Sequence, residues 1–141
     1  MLVEKCMHLN FQVNADDRGN MVVVEGGQAI PFEIKRLFYI YGTDPTVVRG
    51  QHANRKSDFA MVCVRGSCKV KISDGANEAM VVLDEPMKGI YIPKMLWKDM
   101  YDFSEDAVLL VLANTHYDGT EYIRDFDEYK KIMQEYRQEL V

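Results

Sequence analysis

Histidine exchanges a proton near neutral pH without help from its surroundings, and this chain has three of them, His8, His52 and His116. They do not cluster in the sequence, and three is few for an enzyme of proton chemistry. His8 lies near the N-terminus and His116 follows an apolar run, so we expect structural roles for both. An isolated histidine is more often structural than catalytic, so the residues alone leave His52 open.

Two arginines and one tryptophan are the next candidates for chemistry. Arg36 and Arg49 lie in or beside apolar, strand-like segments. Each can face solvent at a strand edge, pair with a buried acid, or bind an anion, for which the planar guanidinium is well shaped. Trp97 is the only tryptophan, and it can either plug the core or line a ligand site.

The three cysteines, Cys6, Cys63 and Cys68, form no C-x-x-C pair. An odd number without such spacing argues against a disulfide scaffold and against a zinc site. The first ten residues lack the long apolar core of a signal peptide, and no stretch approaches the roughly 18 apolar residues of a membrane helix. We therefore predict a cytoplasmic protein with reduced thiols and no membrane segment.

Composition excludes some classes of function without naming one. The chain has 141 residues, of which 48% are hydrophobic and 28% charged, which is typical of one globular domain spanning residues 1–141. The 17 basic and 22 acidic side chains give a net charge of −5. A nucleic-acid-binding protein needs a basic surface, so we expect no nucleic-acid partner.

The elements that must position these residues follow the pattern of an all-β protein, with short apolar or alternating runs between turn signals. Phe59–Arg65 is almost wholly apolar, which predicts a strand buried on both faces. Asp74-Gly75 predicts a hairpin. In the segment 32–41, we expect core positions at Phe32, Ile34, Leu37, Tyr39 and Tyr41.

The last third of the chain changes character. Phe126–Leu140 has apolar residues at helical spacing, and its mixed charges are typical of a solvated outer face. Eight to eleven short strands followed by one C-terminal helix predict a mainly β sandwich or barrel.

A series of short motifs then carries a resemblance to a known family. They occur in the family's order with near-gapless spacing from about Phe11 to Lys130. The motifs are Asp17-Arg18-Gly19-Asn20, Ile30-Pro31-Phe32-Glu33-Ile34-Lys35-Arg36, Tyr39-Ile40, Arg49-Gly50-Gln51-His52-Ala53, Gly66-Ser67-Cys68, Asp74-Gly75, Gly89-Ile90-Tyr91, Trp97, Met100-Tyr101-Asp102-Phe103-Ser104, Val111-Leu112-Ala113, Tyr117-Asp118 and Tyr122-Ile123-Arg124. The sequence resembles the small cupin-fold sugar 3,4-ketoisomerases of the WxcM-like group, which act on thymidine-diphosphate (dTDP)-4-keto-6-deoxyglucose.

The resemblance implies a cupin jelly-roll barrel with a C-terminal α-helix, in a homodimer that exchanges N-terminal strands. The substrate would be a dTDP-linked keto-deoxysugar, whose ketone moves between C4 and C3 without a metal or redox cofactor, in the biosynthesis of 3-amino-3,6-dideoxy sugars. A base removes the hydrogen at C3, an acid delivers a proton at C4, and donors stabilise the enediolate between them.

The resemblance also carries site residues. Family members have His-x-His after the Arg-Gly pair and a third histidine after the tryptophan, where this chain has His52-Ala53-Asn54 and Lys98. Asn54 cannot take a proton at neutral pH, and Lys98 is a base only if desolvation lowers its pKa. The predicted catalytic set is His52, Tyr39, Asn54 and Lys98. The predicted substrate-binding residues are Arg36, Arg49 and Trp97, with the arginines on the diphosphate.

Tyr39 lies three residues after Arg36, so on a regular strand the two point to opposite faces, unless a bulge intervenes. The positions matching a cupin metal site are His52, Asn54, Asp58 and Lys98, which form a poor ligand set, so we expect no metal.

Three hypotheses remain open from the sequence. The first is a working ketoisomerase with His52 as the retained acid or base. The second is an isomerase or epimerase of a different nucleotide-linked keto sugar, with Lys98 as a cation beside the enolate. The third is a non-catalytic cupin that binds dTDP-sugars and has lost two proton carriers, Asn54 and Lys98 standing in their place.

Overall fold

The structure is a computed structural model that describes residues 2–140. This part of the chain contains twelve strands, two short 3₁₀ segments and one α-helix. The strands are β1 (Met7–Asn10), β2 (Val13–Asp16), β3 (Gly19–Val22), β4 (Arg36–Tyr41), β5 (Arg49–Asn54), β6 (Phe59–Arg65), β7 (Cys68–Ser73), β8 (Glu78–Leu83), β9 (Lys88–Ile92), β10 (Trp97–Tyr101), β11 (Val108–Ala113) and β12 (Tyr122–Ile123). The 3₁₀ segments are Leu2–Lys5 and Gly119–Glu121, and α1 is Phe126–Glu139.

Two five-stranded antiparallel sheets carry the fold. One has the strand order β1-β9-β6-β11-β4 and the other β12-β5-β10-β7-β8, while β2 and β3 form a separate hairpin. The main apolar cluster lies between the sheets and takes side chains from both, among them Phe59, Ile92 and Leu109 from the first and Ile72 and Met100 from the second. This confirms the predicted mainly β fold with one C-terminal helix.

Strand β6 is buried on both faces, as its apolar run predicts. Phe59, Met61 and Cys63 face the space between the sheets. Ala60 and Val62 face the other way, where they pack in a second cluster. That second cluster is built from strand β1 and the irregular segment before β4, with Leu9, Phe11, Ile30 and Phe32 as its buried members beside Leu112 of β11.

Strand β4 corrects part of the sequence prediction. Leu37, Tyr39 and Tyr41 were expected in the core, yet they are 54%, 59% and 72% exposed. Side chains alternate along a strand, and in β4 the inward set is Arg36, Phe38 and Ile40. Both sets contain large apolar side chains, so the pattern of hydrophobicity did not distinguish the inner face from the outer one.

Helix α1 confirms the predicted C-terminal helix. The carboxylate of Asp125 caps its start by accepting a hydrogen bond from the backbone N–H of Glu128 at 2.8 Å. The buried face presents Tyr129 and Met133 to the outer side of the second sheet, where Trp97 lies. Among residues 2–140, no helix combines the length and the apolar character that crossing a membrane requires.

Candidate active site

The site is built on two neighbouring strands, β5 and β10. His52 and Lys98 lie directly opposite each other in the antiparallel pairing. Residues in such a position have their side chains on the same face of the sheet, a few ångströms apart. Here that face is turned to the space between the two sheets, so a histidine and a lysine line the same cavity.

A bulge in β5 gives His52 this position. The register shifts by one residue between Lys98 and Asp99, which pair with His52 and Gly50, so Gln51 is left unpaired. Gly50 and Gln51 both have positive φ, 83° and 54°. A Cβ on Gly50 would lie 2.8 Å from the carbonyl oxygen of Lys98, so glycine is required sterically as well as conformationally.

This cavity has a volume of about 160 Å³. Arg49, His52, Lys98 and Tyr122 supply its polar lining, and the apolar lining is Phe38, Ile40, Phe59, Met61 and Met100. A pocket with apolar walls and a few convergent polar groups is the usual form of a small-molecule site.

His52 is held as a neutral base. Its Nδ1 lies 2.9 Å from the carbonyl oxygen of Gly50. A carbonyl only accepts, so Nδ1 carries the proton and Nε2 presents its lone pair. Burial, with help from the positive charge of Lys98, lowers the pKa of His52 from 6.5 to about 4.

Lys98 is a buried amine with an unusually low basicity. Its Nζ donates to Asn54 Oδ1 at 3.2 Å and to the carbonyl oxygen of Leu96 at 3.3 Å. The ammonium also lies 4.7 Å from the centre of the Phe59 ring. Burial lowers the pKa of Lys98 from 10.5 to about 7, while the nearby Glu121 acts in the opposite direction. The lysine therefore gains and loses a proton near neutral pH, as a histidine does.

Arg36 is a second, half-buried cation close to this pair. Its guanidinium carbon lies 5.8, 5.9 and 5.6 Å from the ring centres of Phe38, Phe59 and Tyr117. Nε and Nη2 are buried and have no hydrogen-bond partner among the described residues. Buried donors are normally paired, so these two nitrogens indicate the place of an anionic ligand.

The structure brings together His52, Asn54, Lys98 and Arg49, and it places Arg36 against the same Phe59 ring as Lys98. It does not bring Tyr39 to them. Tyr39 lies on the outer face of β4, stacked on Tyr41 with ring centres 6.2 Å apart. Because β4 is unbroken from Arg36 to Tyr41, Tyr39 and Arg36 point to opposite sides, and Tyr39 is no part of this cavity.

Trp97, predicted as a substrate-binding residue, also lies outside this cavity. It precedes Lys98 on β10 and therefore faces the opposite side of the sheet. There it packs edge-on against Phe126 at 5.1 Å and against Tyr129 at 5.4 Å between ring centres. Its place is the interface between the second sheet and helix α1.

Two site residues were missed at the sequence level. Tyr122 lies with its ring centre 4.8 Å from that of His52. In the sequence, Tyr122 was distinguished only as part of the motif Tyr122-Ile123-Arg124. Glu121 is 3% exposed and acts electrostatically on Lys98. Nothing in its sequence context distinguishes it from a solvated acid, because the contacts that bury it come from residues more than sixty positions away.

The polar side chains at this site are suited to exchanging protons. Residues 2–140 contain no group of three or more His, Cys, Asp or Glu side chains placed to hold a metal ion. Asp58 lies apart from His52 and instead accepts hydrogen bonds from the backbone N–H of Lys94 and from Asn114 Nδ2.

Comparison with known proteins gives a consistent result. The family model described as FdtA, WxcM-like, C-terminal matches residues 4–134. A TDP-4-oxo-6-deoxy-α-D-glucose-3,4-oxoisomerase of Aneurinibacillus thermoaerophilus is 42% identical over 125 residues, which are 89% of this chain and 90% of the relative.

Two solved structures extend the comparison. A 3,4-ketoisomerase from Helicobacter canadensis is 40% identical with a TM-score of 0.90, over 92% of this chain and 98% of that one. A histidine-to-asparagine mutant of the 3,4-ketoisomerase QdtA from Thermoanaerobacterium thermosaccharolyticum, in complex with TDP-4-keto-6-deoxyglucose, is 36% identical with a TM-score of 0.89. That match covers 92% of this chain and 94% of the other.

Proposed function

The chain belongs to the WxcM-like FdtA family, and from this premise we propose that it is a nucleotide-sugar 3,4-ketoisomerase acting on dTDP-4-keto-6-deoxyglucose or a close relative. The relatives named above are 3,4-ketoisomerases and a 3,4-oxoisomerase. The observation that carries the proposal is the pairing of a neutral histidine with a titrating lysine across one cavity.

The two groups suit the two halves of the reaction. Nε2 of His52 takes the hydrogen at C3 as a proton, and the electron pair forms the C3=C4 bond while the C4 ketone oxygen becomes an oxyanion. A proton then enters at C4 from the ammonium of Lys98, the O3 hydroxyl passes its proton to the O4 oxyanion, and the ketone forms at C3. The proton held on His52 then passes through solvent to the neutral amine of Lys98, so both side chains return to their starting forms and the sugar has lost a hydrogen at C3 and gained one at C4.

The two arginines near the cavity are suited to bind the charged part of the ligand. Arg49 lines the cavity and is exposed to the outside, where it can bind the diphosphate. Arg36 has two unpaired donors for the diphosphate or for the oxyanion that develops on the sugar. Asn54 holds Lys98 in place through its carbonyl oxygen.

Incubating the protein with dTDP-4-keto-6-deoxyglucose in deuterium oxide tests the proposal. We expect a C3 ketone and deuterium at C4 in the NMR spectrum, because the base exchanges the abstracted proton with solvent. The substitution His52→Gln should lower the rate about 10²–10⁴-fold, which is the usual contribution of a general base. His8→Gln, on an exposed position of β1, is the matched control and should leave the rate unchanged.

Other outcomes would favour the other hypotheses. If the protein turns over a different keto-sugar nucleotide and leaves this one unchanged, the second hypothesis holds. If dTDP binds by calorimetry and no member of such a panel is turned over, the chain is a binding protein. The low pKa of Lys98 supports catalysis over mere binding, because it restores a group that titrates near pH 7.

We further propose a homodimer that exchanges its N-terminal hairpin. Residues of β2 and β3 are exposed almost throughout, including Val13 and Met21 at 37% and 58%. A cleft of about 600 Å³ is lined by hairpin residues alone. The second uncovered surface is the outer row of β4, which is formed by Leu37, Tyr39 and Tyr41. A second copy of this chain would cover both surfaces.

We also propose a cytoplasmic location for the protein and a place in deoxysugar biosynthesis. The three cysteines are free thiols in the described structure, which supports a cytoplasmic location. A 3-keto sugar nucleotide is the natural substrate for amination at C3, so we propose a place in deoxysugar biosynthesis for surface polysaccharides, before an aminotransfer reaction.

A further inference from the structure

Only three charged side chains are buried in the described part of the chain: Asp74, Lys98 and Glu121. Asp74 has a direct partner, since Arg137 Nη2 lies 3.1 Å from its carboxylate. Lys98 and Glu121 make no direct ion pair with each other or with another described residue. A buried charge is costly unless it is compensated, so the compensation of these two must be indirect.

Asn54 lies between them. Its carbonyl oxygen accepts the hydrogen bond from Lys98 Nζ, which orients the amide so that Nδ2 points away from the ammonium. On that other side the amide helps to lower the pKa of Glu121. Nδ2 is buried and makes no hydrogen bond of standard geometry within the described residues, so the Asn54 amide acts on the carboxylate electrostatically.

The carboxylate of Glu121 is built to stay ionised. Oε1 accepts hydrogen bonds from the backbone N–H groups of Lys56 and Ser57, both at 3.0 Å. The Ser57 hydroxyl donates to Oε2. These donors hold the pKa of Glu121 below its ordinary value although burial acts in the opposite direction.

The other groups that face Lys98 cannot supply this negative charge. His52 stands opposite on β5 and is neutral, while Arg124 adds positive charge on that side. Arg36 shares the Phe59 ring with Lys98 and is a cation. The Cys6 thiol is near Lys98, and burial raises its pKa to about 11, so it stays protonated at neutral pH.

We propose that Glu121 is a positioning residue of this site: through the Asn54 amide, it keeps Lys98 in its ammonium form as the proton donor to C4. This inference rests on the proposed function for the role of Lys98, but the coupling itself does not depend on any substrate. It also gives a reason for asparagine at position 54, since an amide can accept from an ammonium at one end and donate toward a carboxylate at the other.

The direct test is the titration of Lys98 in protein labelled with ¹³C and ¹⁵N lysine. The Lys98 signal is identified by its absence in Lys98→Met. We expect Glu121→Gln to lower the pKa of Lys98 by about 1 unit, the low end of the effect of a nearby opposite charge. Glutamine keeps an oxygen for the two backbone donors, so the loop should retain its structure. The pH above which kcat/KM falls should decrease by the same amount.

Asp74→Asn is the matched control, because it neutralises the other buried carboxylate at a site that does not reach Lys98. It should leave the pKa of Lys98 unchanged, even where it lowers Tm. If Glu121 is only structural, Glu121→Gln lowers Tm and leaves the pKa of Lys98 unchanged, which overturns the proposal.

A second variant covers the case in which Glu121→Gln does not fold. Asn54→Leu removes the bridge and should also lower the pKa of Lys98, whereas an unchanged or raised value contradicts the proposal. The NMR titration needs no sugar nucleotide. A chain that turns over no keto sugar would therefore refute the proposed function and still decide the role of Glu121.

Discussion

At the scale of single residues, the central feature is a fully buried lysine whose pKa is lowered by the loss of hydration. An exposed lysine is protonated throughout the physiological range and cannot exchange its proton usefully. Lys98 is buried beside Phe59 and Leu96, and the loss of hydration lowers its pKa to about 7. The proposed function depends on this shift, because it lets Lys98 take the role expected of a histidine at this position.

The rate should depend on pH in a way that follows from the two shifted groups. His52 accepts a proton only when neutral, which holds above its pKa of about 4. Lys98 donates only when protonated, which holds below its pKa of about 7. We therefore expect kcat/KM to be highest between these values and to fall tenfold for each pH unit above about 7.

Measuring kcat/KM from pH 5 to pH 9 by NMR or a coupled assay checks this profile. Lys98→Met should abolish the reaction, because methionine fills the space without a proton. Lys98→His should retain part of it, with a profile set by imidazole. A wild-type profile that stays flat up to pH 9 would show that Lys98 is not the donor.

At the scale of elements, the bulge of β5 decides where His52 points. Gly50 and Gln51 take positive φ and shift the pairing with β10 by one residue. The residues after the bulge therefore change sides relative to a regular strand, so that His52 faces the cavity and Asn54 reaches Lys98. A bulge next to a functional site is a common way to aim a side chain.

The substitution Gly50→Ala should disrupt this arrangement. Alanine at φ 83° costs about 1–2 kcal/mol, and its Cβ would also lie against the carbonyl oxygen of Lys98 and the sulfur of Met100. We expect a loss of stability above that range in chemical denaturation. We also expect a fall of about 10²-fold in kcat/KM, since a small displacement of a catalytic group has that effect.

Gly42→Ala provides the matched control. Gly42 also has a positive φ, 67°, but a Cβ there meets no atom within 4 Å. It should show the backbone cost alone and leave kcat/KM unchanged. Equal losses of stability and activity in the two variants would contradict the role given to the bulge.

At the scale of the whole molecule, the outer row of β4 and the β2–β3 hairpin both expose large apolar side chains. The outer row of β4 presents Leu37, Tyr39 and Tyr41, and β4 is the last strand of its sheet. The β2–β3 hairpin pairs with no other strand in the described chain. An exposed edge strand and an unsupported hairpin are both unfavourable in a monomer.

Light scattering coupled to size-exclusion chromatography should give about 33 kDa, twice the chain mass of 16.3 kDa. The double substitution Leu37→Asp and Tyr41→Asp should shift the protein toward the single chain by placing charges on the outer row. Met80→Asp, at an equally exposed position of β8, should not. A wild-type species of about 16 kDa would reject the dimer.

Much of this protein was predictable from sequence, because the signals are local. The apolar run of β6 predicted burial on both faces, and the periodicity after Phe126 predicted helix α1. Motif order predicted the family and therefore His52 and Lys98 as site positions. Such signals depend on residues that are neighbours in the chain, and hydrophobic period and turn chemistry report them directly.

Only the tertiary structure decided the rest. Alternation along β4 and β10 divides the side chains into two faces but does not say which face is inside, so only the structure shows that Tyr39 and Trp97 lie on the faces turned away from the cavity. The shift in the pKa of Lys98 and the role of Glu121 depend on burial and on contacts between residues distant in the chain. Charge compensation in a core is a property of packing, which is why one buried glutamate could not be distinguished from a solvated one before the fold was known.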